Sequence, residues 1–233
     1  RDRGKGRTTM KKERAMWMTG TLAGLLTWSL RAQSLWLPAG SGDWDTATNW
    51  APPEVPDGAD VTVIVTNNIA ADATINLGSS RTVGAVVIAD GMGESGSASH
   101  KWDFNAAAAQ TLTLQRTTGP AVINVAHQGV DTSYDYGNMG AFQGTIALNC
   151  ATDLVINIAS NCGYGFWGPF TGGRDILVTG GGEALFEGNN SGNSGNLTVS
   201  NAHLRAISND IAGQDPNQLL PGGNLTLCNA VLM

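Results

Sequence analysis

"GNLTVSNAHL", residues 195–204, returns 28 residues later as "GNLTLCNAVL" (223–232), with seven of ten positions identical. A looser relative, "GRDILVTGGGEAL" (173–185), is displaced by 22 from the first copy. Near-identical strand–turn–strand units at spacings in the twenties mean one supersecondary unit laid down repeatedly, with length differences absorbed in loops. Within each copy the alternation puts Leu197, Val199 and Leu204, and likewise Leu225, Leu227 and Leu232, on one side, which predicts an inward row. The matched Asn201 and Asn229 predict an amide ladder at a corner. Successive coils paired in parallel around an aliphatic column satisfy this pattern. A Greek-key sandwich of the same strand count does not ask for repeated units.

The rest of the chain follows the same grammar. Short runs such as "DVTVIVT" (60–66), "ATINLG" (73–78), "TVGAVVIA" (82–89), "QTLTLQR" (110–116), "AVINVAH" (121–127), "GTIALNC" (144–150) and "DLVINIA" (153–159) alternate apolar and polar residues. Turn signals such as "PDG" (56–58) and "GNNSGNSGN" (188–196) separate them. Past residue 32 no stretch carries an amphipathic helical period, so the expected class is all-β.

The front of the chain reads differently. "RDRGKGRTT" precedes Met10, from which "MKKER" forms a basic head, residues 15–30 an uncharged and mostly apolar stretch, and "LRAQS" a cleavage site after Ala32. This is the pattern of a secretory signal helix, with an uncleaved N-terminal anchor as the alternative. Eight of the 13 Lys and Arg residues lie within 1–32, so residues 33–233 keep five basic and 17 acidic residues, a net charge of −12. Such a surface repels a polyanionic duplex, which excludes nucleic acid as a natural partner.

Three constellations invite a chemical reading. Trp36, Trp44 and Trp50 fall within fifteen residues, in a chain with seven Trp. They suit either a sugar-binding platform or a lid over the open end of a β-stack; lying just before the first regular strands, they are read as a structural cap. Tyr164, Phe166, Trp167 and Phe170, in the glycine-rich "GYGFWGPF" (163–170), are candidate ligand-stacking residues if that segment projects as a loop. Asp43, Asp45, Asp57 and Asp60 cluster in sequence; turn capping is the favoured role, with Ca²⁺ ligation next and acid–base work on a glycoside last. Cys150 and Cys162, twelve apart, could form a disulfide in an oxidising compartment, and Cys228 reads as a small core residue. "GMGESG" (91–96) matches a dinucleotide fingerprint but lacks the helix that must follow, so no cofactor is assigned. His100, His127 and His203 have no metal-ligand spacing, and no catalytic motif is present.

"GDWDTATNW" (42–50) leading into "VPDGADVTVIV" (55–65) resembles the N-terminal segment of bacterial surface proteins of the autotransporter-associated β-strand repeat type. "GGGEALFEGNNSGNSGNLTVSNAHLRA" (180–206) resembles the repeat itself, with Ala202 where that repeat usually has Gly. The resemblance covers most of 36–233 and implies a right-handed parallel β-helix, exported to the cell surface, with a structural or adhesive role and no catalysis. The domain plan is then 1–32 upstream residues and signal peptide, 33–60 N-terminal cap, and 61–233 β-solenoid. The chain stops at Met233 inside a strand, and the expectation is a front fragment of a longer protein. Expected partners are glycans or neighbouring cell surfaces, with no membrane span after residue 32. The rival readings are a β-helical polysaccharide lyase or hydrolase and a carbohydrate-binding module built on Trp167 and its neighbours. Only five basic residues remain to neutralise a uronate, which makes a lyase site hard to build.

Overall fold

The computed structural model describes residues 32–89, 100–126, 139–206 and 222–233, all within one compact unit, Arg31–Met233. The segment expected to be a signal helix, up to Arg31, lies outside the described residues, as do "GMGESG" (91–96) and His127.

Twenty-one described strands, β1 to β21 in chain order, share three sheets. The first sheet holds β1 (Gln33–Trp36), β3 (Trp50–Ala51), β4 (Thr62–Val65), β7 (Ala85–Ala89), β10 (Ala121–Ala126), β13 (Leu154–Ile158), β16 (Ile176–Thr179), β18 (Leu197–Ser200) and β20 (Leu225–Cys228). The second holds β2 (Gly42–Asp43), β5 (Ala73–Asn76), β8 (Trp102–Asn105), β11 (Gly140–Phe142), β14 (Gly163–Phe166), β17 (Glu183–Phe186), β19 (His203–Ala206) and β21 (Val231–Leu232). The third is shorter, with β6 (Arg81–Val83), β9 (Gln110–Leu114), β12 (Ile146–Cys150) and β15 (Phe170–Thr171). The fold is nearly all β; the helical element among the described residues is a 3₁₀ turn at Ala47–Asn49. No described helix is long and apolar enough to cross a membrane.

From β4 to β15 the chain visits the three sheets in fixed rotation, and from β16 it alternates between the first and second. Neighbouring strands run parallel, with β1–β3 the antiparallel pair. The register aligns like residues. In the first sheet Val63, Val86, Ile123, Ile156, Val178 and Val199 form one inward row, all fully buried. In the second, Ile75, Phe104, Phe142, Phe166 and Phe186 do the same. Alternation of apolar and polar residues produces this directly, since a period of two sends every second side chain to the same face.

The 28-residue echo is an in-register parallel pair: Leu197 faces Leu225, Val199 faces Leu227, and Leu204 faces Leu232. Asn229 Nδ2 donates to Asn201 Oδ1 at 2.7 Å, which is the expected amide rung. Both asparagines have positive φ, 50° and 48°, a left-handed conformation Asn tolerates. The equivalent turn after β16 uses Gly180 at φ 105°, where a Cβ would overlap the Ile158 carbonyl.

Two expectations are corrected. Leu225, Leu227 and Leu232 are not core: they are 37%, 44% and 44% exposed, because no described strand lies beyond β20 and β21 to cover them. Cys228 is exposed as well, on the outward row beside Ser200 rather than in the core. β1 pairs in parallel with β4, and β2 with β5, so residues 33–60 extend the first two sheets.

Candidate functional site

The three cap tryptophans are fully buried. Trp50 sits between the other two, 4.9 Å from Trp36 and 5.0 Å from Trp44 by ring centroids, edge to face in both cases. Trp50 Nε1 donates to the Trp44 carbonyl at 2.7 Å, and Trp44 Nε1 donates to the Pro56 carbonyl at 3.1 Å. Gly42 lets the chain run close to this cluster: a Cβ there would stand a tight 3.0 Å from the Trp36 ring. Trp44 and Trp50 thus turn their indole N–H groups to backbone carbonyls, Trp36 Nε1 is buried without a partner, and none of the three rings presents an open face.

The second aromatic cluster is also mostly interior. "GYGF" is strand β14 and Phe170 opens β15, so the segment is not a projecting loop. Tyr164, Phe166 and Phe170 are fully buried, and they offer no stacking face. Tyr164 Oη donates to the Trp102 carbonyl at 3.0 Å, and burial pushes its phenol well above the ordinary range. Gly163 and Gly165 read as loop signals, but they point outward beneath large side chains. A Cβ would stand 2.6 Å from Met139 Cε at the first and 2.6 Å from Trp167 Nε1 at the second. Trp167 alone of the four keeps an accessible part.

The acidic cluster ties strands together instead of converging on a point. Asp45 and Asp57 both pair with Arg81, at 2.7 and 3.1 Å, and Asp45 also accepts from Ser79 Oγ at 3.0 Å. Asp57, expected to open its turn by bonding its own backbone, accepts instead from the Thr82 N–H, 25 residues away, at 2.9 Å. Asp60, at φ 69°, accepts from the Thr117 N–H and hydroxyl. Asp43 lies on exposed β2 beside a pocket it shares with Asp45 and Asn76. Further along, Glu183 pairs with Arg205 at 3.1 Å, and Lys101 lies 4.0 Å from both Asp72 and Asp103. Burial raises the carboxyls of Asp103 and Glu183 despite these cations.

No disulfide joins Cys150, Cys162 and Cys228. Cys150 fills the inward row of the third sheet after Leu114, and burial pushes it up to about 12. Of the two possibilities for Cys150 and Cys162, a disulfide or two separately buried cysteines, the structure holds the second. Alkylation of the native protein at pH 8 should label Cys228 alone, with all three thiols reacting once the chain is unfolded. Mass spectrometry of the labelled peptides reads the outcome, and early labelling of Cys150 would contradict its place in the core.

Sequence reasoning missed the side chains that end the third sheet. Asn190 and Asn193, inside the presumed turn "GNNSGNSGN", are fully buried. Asn190 Oδ1 accepts from the Phe170 N–H at 2.7 Å, and Asn193 Nδ2 donates to the Arg174 carbonyl at 3.1 Å. Side-chain amides thus stand where the next strand would have been. Only their regular Asn/Gly spacing could have signalled this.

One outward surface has the composition of a binding site. Val122, Val155, Leu177 and Thr198 share an outward row across β10, β13, β16 and β18. The last three of these, with Pro120, Asp153 and Asp175, line a shallow groove of about 360 Å³. An apolar floor with carboxylates at its edge can meet the C–H face of a sugar and accept from its hydroxyls. Comparison with protein-family models, curated proteins and solved structures returns no match to this chain.

Proposed function

We propose that this chain is a right-handed parallel β-helix of the autotransporter-associated repeat type, carried to the cell surface as a structural or adhesive passenger without catalysis. The observation that carries the reading is the rotation of the chain through three parallel sheets, with like residues stacked in register from β4 to β18. A right-handed turn follows from the general handedness of parallel crossovers. The arrangement of charge favours a passive surface. Of the five basic side chains in 33–233, Arg81, Lys101, Arg116 and Arg205 each face a carboxylate, so they are engaged in holding strands rather than grouped to receive a uronate. The groove beside Val155 and Leu177 is the surface suited to a glycan.

The test is expression of the full chain in a bacterium. Exported material should begin at Gln33, adhere to cells or to arrayed glycans, and leave those glycans intact. Retention of Met10–Ala32 in the released protein would overturn the export route. New reducing ends or unsaturated uronate products would replace the adhesive reading with the polysaccharide-active one.

A further inference from the structure

The groove beside Val155 and Leu177 has an ordered edge as well as a floor. Val155, Leu177 and Thr198 form the floor, an outward row that crosses β13, β16 and β18. Asp153 and Asp175, the residues just before β13 and β16, form the edge. Their backbones therefore stand one strand spacing apart, about 4.8 Å. Each carboxylate is held from the next rung. Asp153 Oδ1 accepts from the Asp175 N–H at 3.3 Å, and Asp175 Oδ1 accepts from the Asn196 N–H at 2.8 Å and from Asn196 Nδ2 at 3.0 Å. Both aspartates are exposed, and among the described residues no Lys, Arg or His pairs with either. Arg174 precedes Asp175 but does not line the groove, and the other four basic side chains of 33–233 face other carboxylates.

Charge complementarity then selects the occupant. Two un-neutralised carboxylates one rung apart repel uronates and sulfates and attract a compact cation. An ammonium group, with three N–H donors, can donate to both. A divalent metal needs a fuller oxygen shell, and no group of three or more acidic, His or Cys side chains is gathered for one among the described residues. A basic peptide would lack main-chain partners here, because β10, β13, β16 and β18 are each paired on both sides. The aliphatic floor instead matches the C–H face of a pyranose ring. We infer that the groove takes a glycan bearing a free amino sugar, whose protonated amine donates to Asp153 and Asp175 while the ring lies over Val155 and Leu177. The inference rests on the glycan-binding reading of this surface and narrows it to amine-bearing chains.

The test titrates the full chain with a short 1,4-linked glucosamine oligomer and with its fully N-acetylated counterpart, while NMR follows the backbone amides. The pH is one that keeps the amines charged. The glucosamine oligomer should shift the amides of β13 and β16 and bind at least about tenfold more tightly than the acetylated one. Added salt should shrink that margin. Asp153→Asn/Asp175→Asn should abolish it. Thr198→Lys, which sets a cation on the floor and leaves both carboxylates in place, should abolish it too. A margin that survives both changes overturns the inference. Equal binding of the two oligomers, with shifts at β13 and β16, overturns the amine preference and leaves a groove for neutral glycans. Oligolysine that matches the glucosamine oligomer in affinity and in shifted amides would make a basic peptide the occupant and overturn it as well. No shift with either oligomer defeats the inference and the glycan reading of the groove together.

Discussion

Trp50→Ala should lower stability by about 3–5 kcal/mol, the usual cost of deleting a large buried ring. Trp50 is fully buried, touches both Trp36 and Trp44, and donates its indole N–H to the Trp44 carbonyl. Its loss removes packing from both partners and leaves that buried carbonyl without its donor. Trp44 in turn lies 6.3 Å from Phe104, the first ring of the phenylalanine row, so the damage reaches the column behind the lid. The melting temperature should fall, and the variant should aggregate or lose its first strands to proteolysis before the rest. A Trp50→Ala protein as stable and monomeric as its parent would show that the tryptophans are not a lid.

Phe166→Ala should be comparably costly, again about 3–5 kcal/mol. Phe166 is the hub of the ring column, with centroids 6.0 Å from Phe142, 5.8 Å from Tyr164, 5.5 Å from Phe170 and 5.6 Å from Phe186. Such pairs add about 0.5–1.5 kcal/mol each beyond buried area, although their sum is not additive. Chemical denaturation of Phe166→Ala beside Trp167→Ala supplies the internal control. The half-buried Trp167 should cost clearly less. If the two variants lose equal stability, or if only Phe166→Ala loses glycan binding while its midpoint holds, Phe166 is not the centre of the core.

The parallel pairing was legible wherever two periods coincided, the alternation along a strand and the spacing between repeated units. Leu197 and Leu225 match in sequence and pair in space because one turn geometry, set by Asn201 and Asn229, returns the chain to the same place. "GYGFWGPF" was illegible for a physical reason. Glycine signals a turn when its backbone freedom is needed, and Gly165 is used instead because an indole lies against it. Asn190 failed to announce itself because a buried amide that replaces a strand looks, in sequence, like any polar loop residue. The exposure of Leu225 was equally hidden, since burial depends on a strand pairing alongside, and no described strand lies beyond β20.

The interlocked tryptophans also fasten a stretch of chain into one piece. Trp36, Trp44 and Trp50 are held by mutual ring contacts, and Trp44 Nε1 reaches the Pro56 carbonyl, so residues 36–56 are tied together along their whole length. The strands β1 and β2 at the front of that stretch pair with β4 and β5 in two different sheets. Local opening there would have to break both pairings and the ring contacts together, so the segment should open all at once and not strand by strand.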